Sequence, residues 1–405
     1  MFDYFREYFD FKGLFVCLAL VAMGLVSIYS ATYDAGAGAI FEKQTVWVIA
    51  GVVAMLVAAF FPFKLLQRLA VPIYALTLGA LFSVLMIGAR ISGSKSWFGV
   101  GDFGIQPSEF AKVATVLALA AFLSKTTISI SNTKHLLGTM LIVVLPMMFI
   151  LAQPDLGTAI IFFAMVVPVL YWAGASNFVL AAIFAPVIVA AGALFGTTIF
   201  LISIVIAGLI IFFAHENRFA AGAVFGLTLA VGLSVQTVYD NLPSYQQKRI
   251  ATFLNPESDP LGAGYNVIQS KVAIGSGGLT GKGYLQGTQT QLNFIPEQWT
   301  DFIYCVPGEE FGFIGGSVVL IAFAVLLFHG IKIASISNNK FGSVGAIGVI
   351  GVFAAHIFVN IGMSLGLLPV IGIPLPFLSY GGSALIANMA MVGLLMNFYA
   401  NRKEH

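Results

Sequence analysis

Twelve apolar stretches, separated by shorter polar segments, divide most of the chain. They cover residues 12–31, 44–62, 69–88, 107–124, 136–152, 154–173, 178–196, 198–214, 218–237, 303–328, 342–365 and 374–399. An α-helix needs about 20 predominantly apolar residues to cross the hydrocarbon core of a bilayer. The pattern therefore predicts an all-α polytopic membrane protein with about 10–12 transmembrane helices. Little more than Gly196 and Thr197 separates 178–196 from 198–214, which form either a tight helical hairpin or one broken unit.

The composition strengthens the membrane prediction. Of the 405 residues, 59% are hydrophobic and only 9% are charged, with a mean hydropathy of +0.96. A soluble domain carries about 25% charged residues, so a soluble protein is excluded. The two cysteines and five scattered histidines indicate neither a disulfide framework nor a zinc cluster. The sequence has no Walker loop and no dinucleotide fingerprint, and no nucleic-acid partner is expected.

The longest polar interruption covers residues 238–302, before the last three predicted helices. If the N-terminus is cytoplasmic, a small majority of the 19 Lys and Arg residues falls on the cytoplasmic side, as the positive-inside rule favours. This orientation predicts cytoplasmic N- and C-termini. It also makes 238–302 a large extracytoplasmic loop, in which we expect the active site.

Acids, amines and glycines are concentrated in this loop. Asp259 lies near its centre, and a dense glycine segment covers 275–283. Amines and backbone N–H groups suit an anion such as a diphosphate. A carboxylate beside them suits a general base or a metal ligand. The alternative is a solvated loop with ordinary turns. The basic candidates are Lys248, Arg249, Lys271 and Lys282.

A second candidate site lies at the start of the fourth predicted helix and in the loop before it. Glu109 and Lys112 are three residues apart, so they share one face of a helix and can pair. A charged pair this close to lipid is costly unless it faces a polar cavity. The alternatives are a snorkelling Lys112 and an interfacial anchor at Trp97.

Three further acids fall at or inside apolar stretches. Asp155 stands at a helix start, where it suits either a site or a helix cap. Glu309 and Glu310 are adjacent within the predicted helix 303–328. Two adjacent carboxylates cannot both face lipid, so at least one must be paired, protonated or in a polar cavity. A structural pairing with Lys or Arg elsewhere is the alternative.

The last candidate is the proline- and glycine-rich segment Pro374–Ser383, which contains Ser379 and follows Asn360. Such a segment breaks a helix at membrane depth, where irregular backbone is tolerated only inside protein or beside a cavity. Broken helices form binding sites in transporters, and a lipid-processing enzyme could use them in the same way.

Five segments together carry a family resemblance. They are Phe253–Tyr265, Gln269–Gly283, Gly287–Leu292, Phe294–Ile303 and Pro374–Ser383. The chain resembles the SEDS family, the shape, elongation, division and sporulation membrane proteins of bacteria, and is more similar to its elongation branch than to its division branch. The resemblance covers nearly the whole chain, so 1–405 is expected to form one domain.

The resemblance implies a peptidoglycan glycosyltransferase of the bacterial cytoplasmic membrane. Such proteins polymerise lipid II at the outer face, release undecaprenyl diphosphate, and work with a class B penicillin-binding protein and other elongation-complex membrane proteins. The family's essential acid falls on Asp259, which becomes the predicted catalytic base for an inverting reaction. Mg²⁺ or Mn²⁺ is a further source of positive charge, with Asp259 as its candidate ligand. The candidate substrate-binding residues are Trp97, Glu109, Lys112, Asp155, Lys248, Arg249, Lys271, Lys282, Glu297, Asp301 and Ser379.

The chain departs from the family pattern in two places. Ser96 stands where members often carry arginine before the tryptophan, and Lys95 or Arg90 could supply that charge. The family usually has ten spans, so the surplus near 198–237 is predicted to be an extra transmembrane pair.

Two rival functions follow from the same residues. A lipid II flippase would use Glu309, Glu310 and Lys112 more than Asp259, because alternating access needs no general base. A scaffold that only recruits the transpeptidase would tolerate loss of Asp259. The family resemblance favours the enzyme.

Overall fold

The computed structural model describes residues 8–91, 94–100, 103–214, 217–255, 264–292, 294–296 and 298–404. Its helices are α1 Phe11–Tyr33, α2 Gly38–Phe60, α3 Phe63–Ile87, α4 Pro107–Leu123, α5 Thr133–Ala152, α6 Leu156–Trp172, α7 Asn177–Leu194, α8 Thr197–Ala214, α9 Arg218–Asp240, α10 Ser244–Leu254, α11 Tyr265–Ser276, α12 Thr288–Gln291, α13 Cys305–Glu310, α14 Gly312–Ile336, α15 Lys340–Ser364 and α16 Gly382–Ala400.

Within the described ranges, 10 helices are long and apolar enough to cross a membrane. Helices α4 and α6, of 17 residues each, fill the two remaining predicted stretches. The protein is therefore a multi-pass membrane protein, as predicted. The stretch at 178–214 is a hairpin of two helices, because Gly196 has φ +103 between them, a conformation that glycine adopts readily.

Two predicted helix starts are wrong. Helix α14 begins at Gly312 rather than at 303, so Glu309 and Glu310 lie on the separate short helix α13. Helix α16 begins at Gly382 rather than at 374. In the first case Gly312 turns the chain with φ +64. In the second case the prolines before α16 disfavour helix for the residues that precede them.

The fold also contains a small sheet that the all-α prediction did not include. Strands β1 Ala89–Ile91, β2 Ser94–Val100 and β3 Phe103–Ile105 form an antiparallel sheet in the order β1-β2-β3. Ala89 pairs with Trp97, and Gly99 pairs with Gly104. The sheet holds Trp97 in the segment just before α4.

The chain divides into two compact units. The first consists of Met1–Val169 and Tyr265–His405, and the second of Leu170–Gly264. In the first unit α15 and α16 are central, since 89% and 72% of their apolar windows are buried, against 22% for α5. In the second unit, Ala185 and Val189 of α7 form a buried cluster with Ala207 and Ile211 of α8. The predicted extra pair, 198–237, forms α8 and α9 of this unit.

Glycines allow α15 to approach its neighbours closely. A Cβ at Gly345 would lie 2.7 Å from the Phe398 ring of α16, and one at Gly348 would lie 2.8 Å from Val116 of α4. Small residues at helix contacts are typical of membrane bundles, where packing rather than the hydrophobic effect drives association. This close packing places the polar side chains of α4 and α15 within hydrogen-bond distance of each other.

Candidate functional site

A buried charged triad joins α4 to α15. The Lys112 Nζ lies 2.9 Å from Glu109 Oε1, 2.8 Å from Glu109 Oε2 and 2.9 Å from His356 Nε2. Lys112 is 0% exposed and Glu109 is 3% exposed. The predicted pairing of Glu109 with Lys112 is therefore confirmed, and the snorkelling alternative is wrong.

His356 links this triad to the irregular segment before α16. Its Nδ1 lies 3.0 Å from the Pro374 carbonyl oxygen. An ammonium can only donate, so Nε2 must accept from Lys112 while Nδ1–H donates to Pro374. The imidazole is thus neutral. The sequence analysis missed His356, although a polar residue inside an apolar helix is itself a signal that a partner exists.

Glu309 accepts a dense set of hydrogen bonds. Its Oε1 accepts from Lys282 Nζ at 2.7 Å and from the Gln289 N–H at 2.9 Å. Its Oε2 accepts from the Thr290 N–H at 2.9 Å and the Thr290 hydroxyl at 2.7 Å. Burial alone would raise the pKa of Glu309, but Lys282 and these hydrogen bonds outweigh burial and hold the pKa below its usual value. Glu309 is an ionised carboxylate.

Glu310 has a different environment. Its Oε1 accepts from the Ser30 hydroxyl, from the Leu285 N–H at 3.1 Å and from Gln291 Nε2 at 3.2 Å. Its Oε2 is buried and has no hydrogen-bond partner among the described residues. Burial, with a smaller contribution from the charge of Glu309, raises the pKa of Glu310 despite these three hydrogen bonds.

Two glycines of the segment 275–283, Gly277 and Gly281, pack closely against the backbone of α13. Lys282 N–H donates to the Glu309 carbonyl at 3.1 Å and Gly283 N–H to the Glu310 carbonyl at 2.9 Å. Gly281 has φ +83, and a Cβ there would lie 2.1 Å from the Glu310 carbonyl oxygen. The close approach expected from these glycines is made to the protein's own backbone.

The predicted basic residues separate into different settings. Lys282 is 25% exposed, and its ammonium is bonded to Glu309 and to Thr288 Oγ1. Lys271 on α11 is exposed and makes no hydrogen bond with the described residues. Lys248 and Arg249 are both exposed on α10, in the second unit. Lys271 therefore keeps its charge available in a way that Lys282 does not.

The segment before α16 is tied to the end of the large loop. The Ser379 hydroxyl donates to the Thr300 carbonyl at 2.6 Å and accepts from the Leu375 N–H at 2.8 Å. Asn360 Nδ2 donates to the Asp301 carbonyl at 2.9 Å. Ser379 is 5% exposed, so its hydroxyl fixes the backbone, while Asp301 is only partly buried.

Three residues of the remaining predicted sites have structural partners. Asp155 caps α6, since its Oδ1 accepts from the Thr158 N–H at 3.0 Å. The Trp97 ring packs on Gly104, where a Cβ would lie 2.8 Å from it. Lys95 Nζ donates to the carbonyls of the last turn of α3, Leu85 at 2.8 Å and Met86 at 3.0 Å. The Lys95 ammonium therefore caps the C-terminal end of α3.

The predicted base Asp259 and the candidate Glu297 lie outside the described residues, as does the whole segment 256–263. Within the described part of the chain, no group of three or more His, Cys, Asp or Glu residues could hold a metal ion. The described residues thus surround the predicted catalytic segment in the sequence and do not themselves form a metal centre.

The fold and the site define a class: a multi-pass membrane protein with buried charged clusters. The chain belongs to the FtsW, RodA and SpoVE family of cell cycle proteins, which it matches over residues 11–201 and 187–404.

Named relatives and solved structures match along nearly the whole chain. Peptidoglycan glycosyltransferase RodA of Treponema pallidum (strain Nichols) is 37% identical, covering 97% of this chain and 98% of the relative. Peptidoglycan glycosyltransferase MrdB of Escherichia coli (strain K12) is 36% identical, covering 98% and 95%. RodA of Thermus thermophilus, a rod shape determining protein, is 25% identical with a TM-score of 0.65, covering 98% of both chains. A chain from a peptidoglycan synthase complex that coordinates polymerization and crosslinking is 27% identical with a TM-score of 0.75, covering 98% and 99%.

Proposed function

We propose that this membrane protein is a peptidoglycan glycosyltransferase that polymerises lipid II into glycan strands during cell elongation. The supporting observation is 36–37% identity, over nearly the full length, to relatives named peptidoglycan glycosyltransferase RodA and MrdB. Those names do not favour the flippase alternative. The similarity to a chain of a synthase complex that also crosslinks supports a class B penicillin-binding protein as the partner.

In the proposed reaction, the 4-hydroxyl of one GlcNAc attacks the anomeric carbon of MurNAc diphosphate. The new C–O bond forms as the bond to the diphosphate breaks, and undecaprenyl diphosphate leaves with the electron pair. Asp259 takes the proton of the attacking hydroxyl. Attack opposite the leaving group inverts the anomeric centre. Lys271 is our candidate cation for the departing diphosphate, because its ammonium is exposed and makes no hydrogen bond with the described residues.

The proposed reaction requires a defined orientation of the chain in the membrane. We place both termini in the cytoplasm and the loop 238–302 at the outer face of the cytoplasmic membrane. The described residues do not fit a metal centre of their own. A dependence on Mg²⁺ or Mn²⁺ would therefore rest on the substrate diphosphate, with Asp259 as the protein's candidate ligand, and added chelator would then stop polymerisation.

The test is polymerisation of purified lipid II by the full chain together with its transpeptidase partner. Asp259→Asn keeps the side-chain volume and removes the base, so it should abolish product. Glu257→Gln, in the same loop segment, is the matched control and should keep activity. Normal polymerisation by Asp259→Asn would refute the assignment of the base. A well-folded wild-type complex without product would return attention to a flippase.

A further inference from the structure

The adjacent carboxylates Glu309 and Glu310 are both buried but have unlike donors. Glu309 faces the ammonium of Lys282, two backbone N–H groups and two hydroxyls. Among the described residues, the donors to Glu310 are the neutral groups of Ser30, Leu285 and Gln291, all at the one oxygen Oε1. The ion pairs among the described residues include Glu309 and do not include Glu310. Of the two neighbouring acids, Glu309 is therefore the one that pairs with the Lys282 ammonium.

Glu310 and Gln291 each have one buried side-chain oxygen without a hydrogen-bond partner among the described residues. Glu310 Oε2 and Gln291 Oε1 are both buried without a hydrogen-bond partner among the described residues, while Gln291 Nε2 donates to Glu310 Oε1 at 3.2 Å. No donor among the described residues reaches either oxygen. A proton on Glu310 Oε2 would turn one of them into a donor. It would also remove an unpaired charge from a buried place, where such a charge is costly.

We propose that Glu310 is protonated in the resting protein and acts as a positioning residue, its Oε2–H donating to Gln291 Oε1 while Oε1 accepts from Ser30. The charged and titratable groups around it agree with this assignment. Glu309 lies on α13 itself, and Tyr284 and Lys282 lie on the preceding loop, with the Lys282 ammonium already bonded to Glu309. The residues of α1 and α12 that bond to Glu310 or Gln291 carry no charge.

The neutral acid fastens the end of the large loop to α1. Gln291 Nε2 also donates to the Ser30 hydroxyl at 2.9 Å and to the Ser30 carbonyl at 3.2 Å. Gln298 Nε2 donates to the Ala31 carbonyl at 3.0 Å. Glu310 thus connects α13, α12 and the C-terminal end of α1 through side chains whose geometry depends on one proton. Ionisation would place a second negative charge beside Glu309 and loosen this connection.

Infrared difference spectroscopy on the purified full chain at neutral pH tests the proton directly. The wild type should show the C=O band of a buried protonated carboxyl group. Glu310→Gln should remove that band, because an amide replaces the acid, whereas the matched variant Glu309→Gln should keep it. A spectrum in which Glu310→Gln removes no such band would overturn the proposal. The measurement uses the resting protein, so that result would leave the glycosyltransferase assignment untouched.

Stability gives a second test that does not depend on the band. Glutamine mimics the neutral acid in shape and supplies a donor at the same place, so Glu310→Gln should fold and keep its Tm at neutral pH. The wild type should lose stability as the pH rises above 4.5 toward the raised pKa of Glu310, and Glu310→Gln should not show this loss. A Glu310→Gln protein that unfolds, or that loses as much Tm as Glu309→Gln, would refute the neutral acid.

Discussion

The triad Glu109–Lys112–His356 and the pair Glu309–Glu310 are two buried charged clusters in the same compact unit, stabilised in different ways. Lys112 and Glu309 are each 0% exposed. In the triad, the ammonium of Lys112 is bonded to side chains alone, those of Glu109 on α4 and His356 on α15. The charge of Glu309 is stabilised by the ammonium of Lys282 and by two backbone N–H groups in α12.

The difference follows from what the backbone can offer. Lys112 lies inside a long helix, where the backbone carbonyls accept from N–H groups four residues later, so its buried ammonium needs side-chain partners. At a helix start the first N–H groups have no partner within the helix and can donate to a carboxylate. The Glu109–Lys112 ion pair is therefore sensitive to the loss of either side chain, whereas Glu309 loses only part of its stabilisation when Lys282 is changed.

Lys112→Met should cause the largest loss of stability. It leaves Glu109 buried without its cation, and breaking a buried ion pair costs about 3–5 kcal/mol. Thermal unfolding in detergent would measure it. The double variant Glu109→Gln with Lys112→Met is the control, and should recover much of the loss because no charge is left unpaired. An equal loss in both would contradict the importance of the uncompensated charge.

Glu309→Gln should be the next most damaging change. The glutamine NH₂ group would face N–H and O–H donors that now bond to the carboxylate. A buried donor left without an acceptor costs about 1–3 kcal/mol. The pKa of Glu309 is depressed, so its contribution is present above pH 4.5 and is lost as pH falls below that value. Thermal unfolding against pH should show this acid loss in the wild type and not in Glu309→Gln.

Substitutions at His356 separate its two hydrogen bonds. His356→Gln keeps an acceptor near the Nε2 position for Lys112, and His356→Asn keeps a donor near Nδ1 for Pro374. We expect Asn to be the more destabilising, by about 1–2 kcal/mol, because it removes a partner from a charged donor. Thermal unfolding of both proteins decides the order. A larger effect of Gln would show that the bond to Pro374 matters more.

Ser30→Ala should have the smallest effect of the series. A hydrogen bond between neutral groups contributes about 0.5–1.5 kcal/mol, and one to a charged group about 1.5–3 kcal/mol. With a protonated Glu310 the loss should fall in the lower range. Ser27→Ala is the matched control, because the Ser27 hydroxyl donates within its own helix, to Met23 at 2.8 Å. A loss in the upper range would contradict the neutral acid.

Much of the fold, and one part of the candidate site, could be predicted from the sequence. Hydrophobic runs located all twelve helices of the predicted stretches, because burial in lipid is a property of local composition. The start at 303 was wrong because the apolar residues 303–306 were joined to the apolar run of α14, whereas a backbone turn at Gly312 separates α13 from α14. Asp155 was correctly considered as a helix cap, a role that depends on adjacent residues.

The sequence by itself determined the membrane class and the Glu109–Lys112 pair, since a separation of three residues fixes a shared helix face. Only the tertiary structure decided that Lys282 pairs with Glu309, which is 27 residues away, and that His356 contacts Lys112, which is 244 residues away. It also decided that Glu310 lies beside Ser30 and forms no ion pair with the described residues. The donor that bonds to a buried acid depends on how distant segments pack, and hydrophobic periodicity carries no information about that packing.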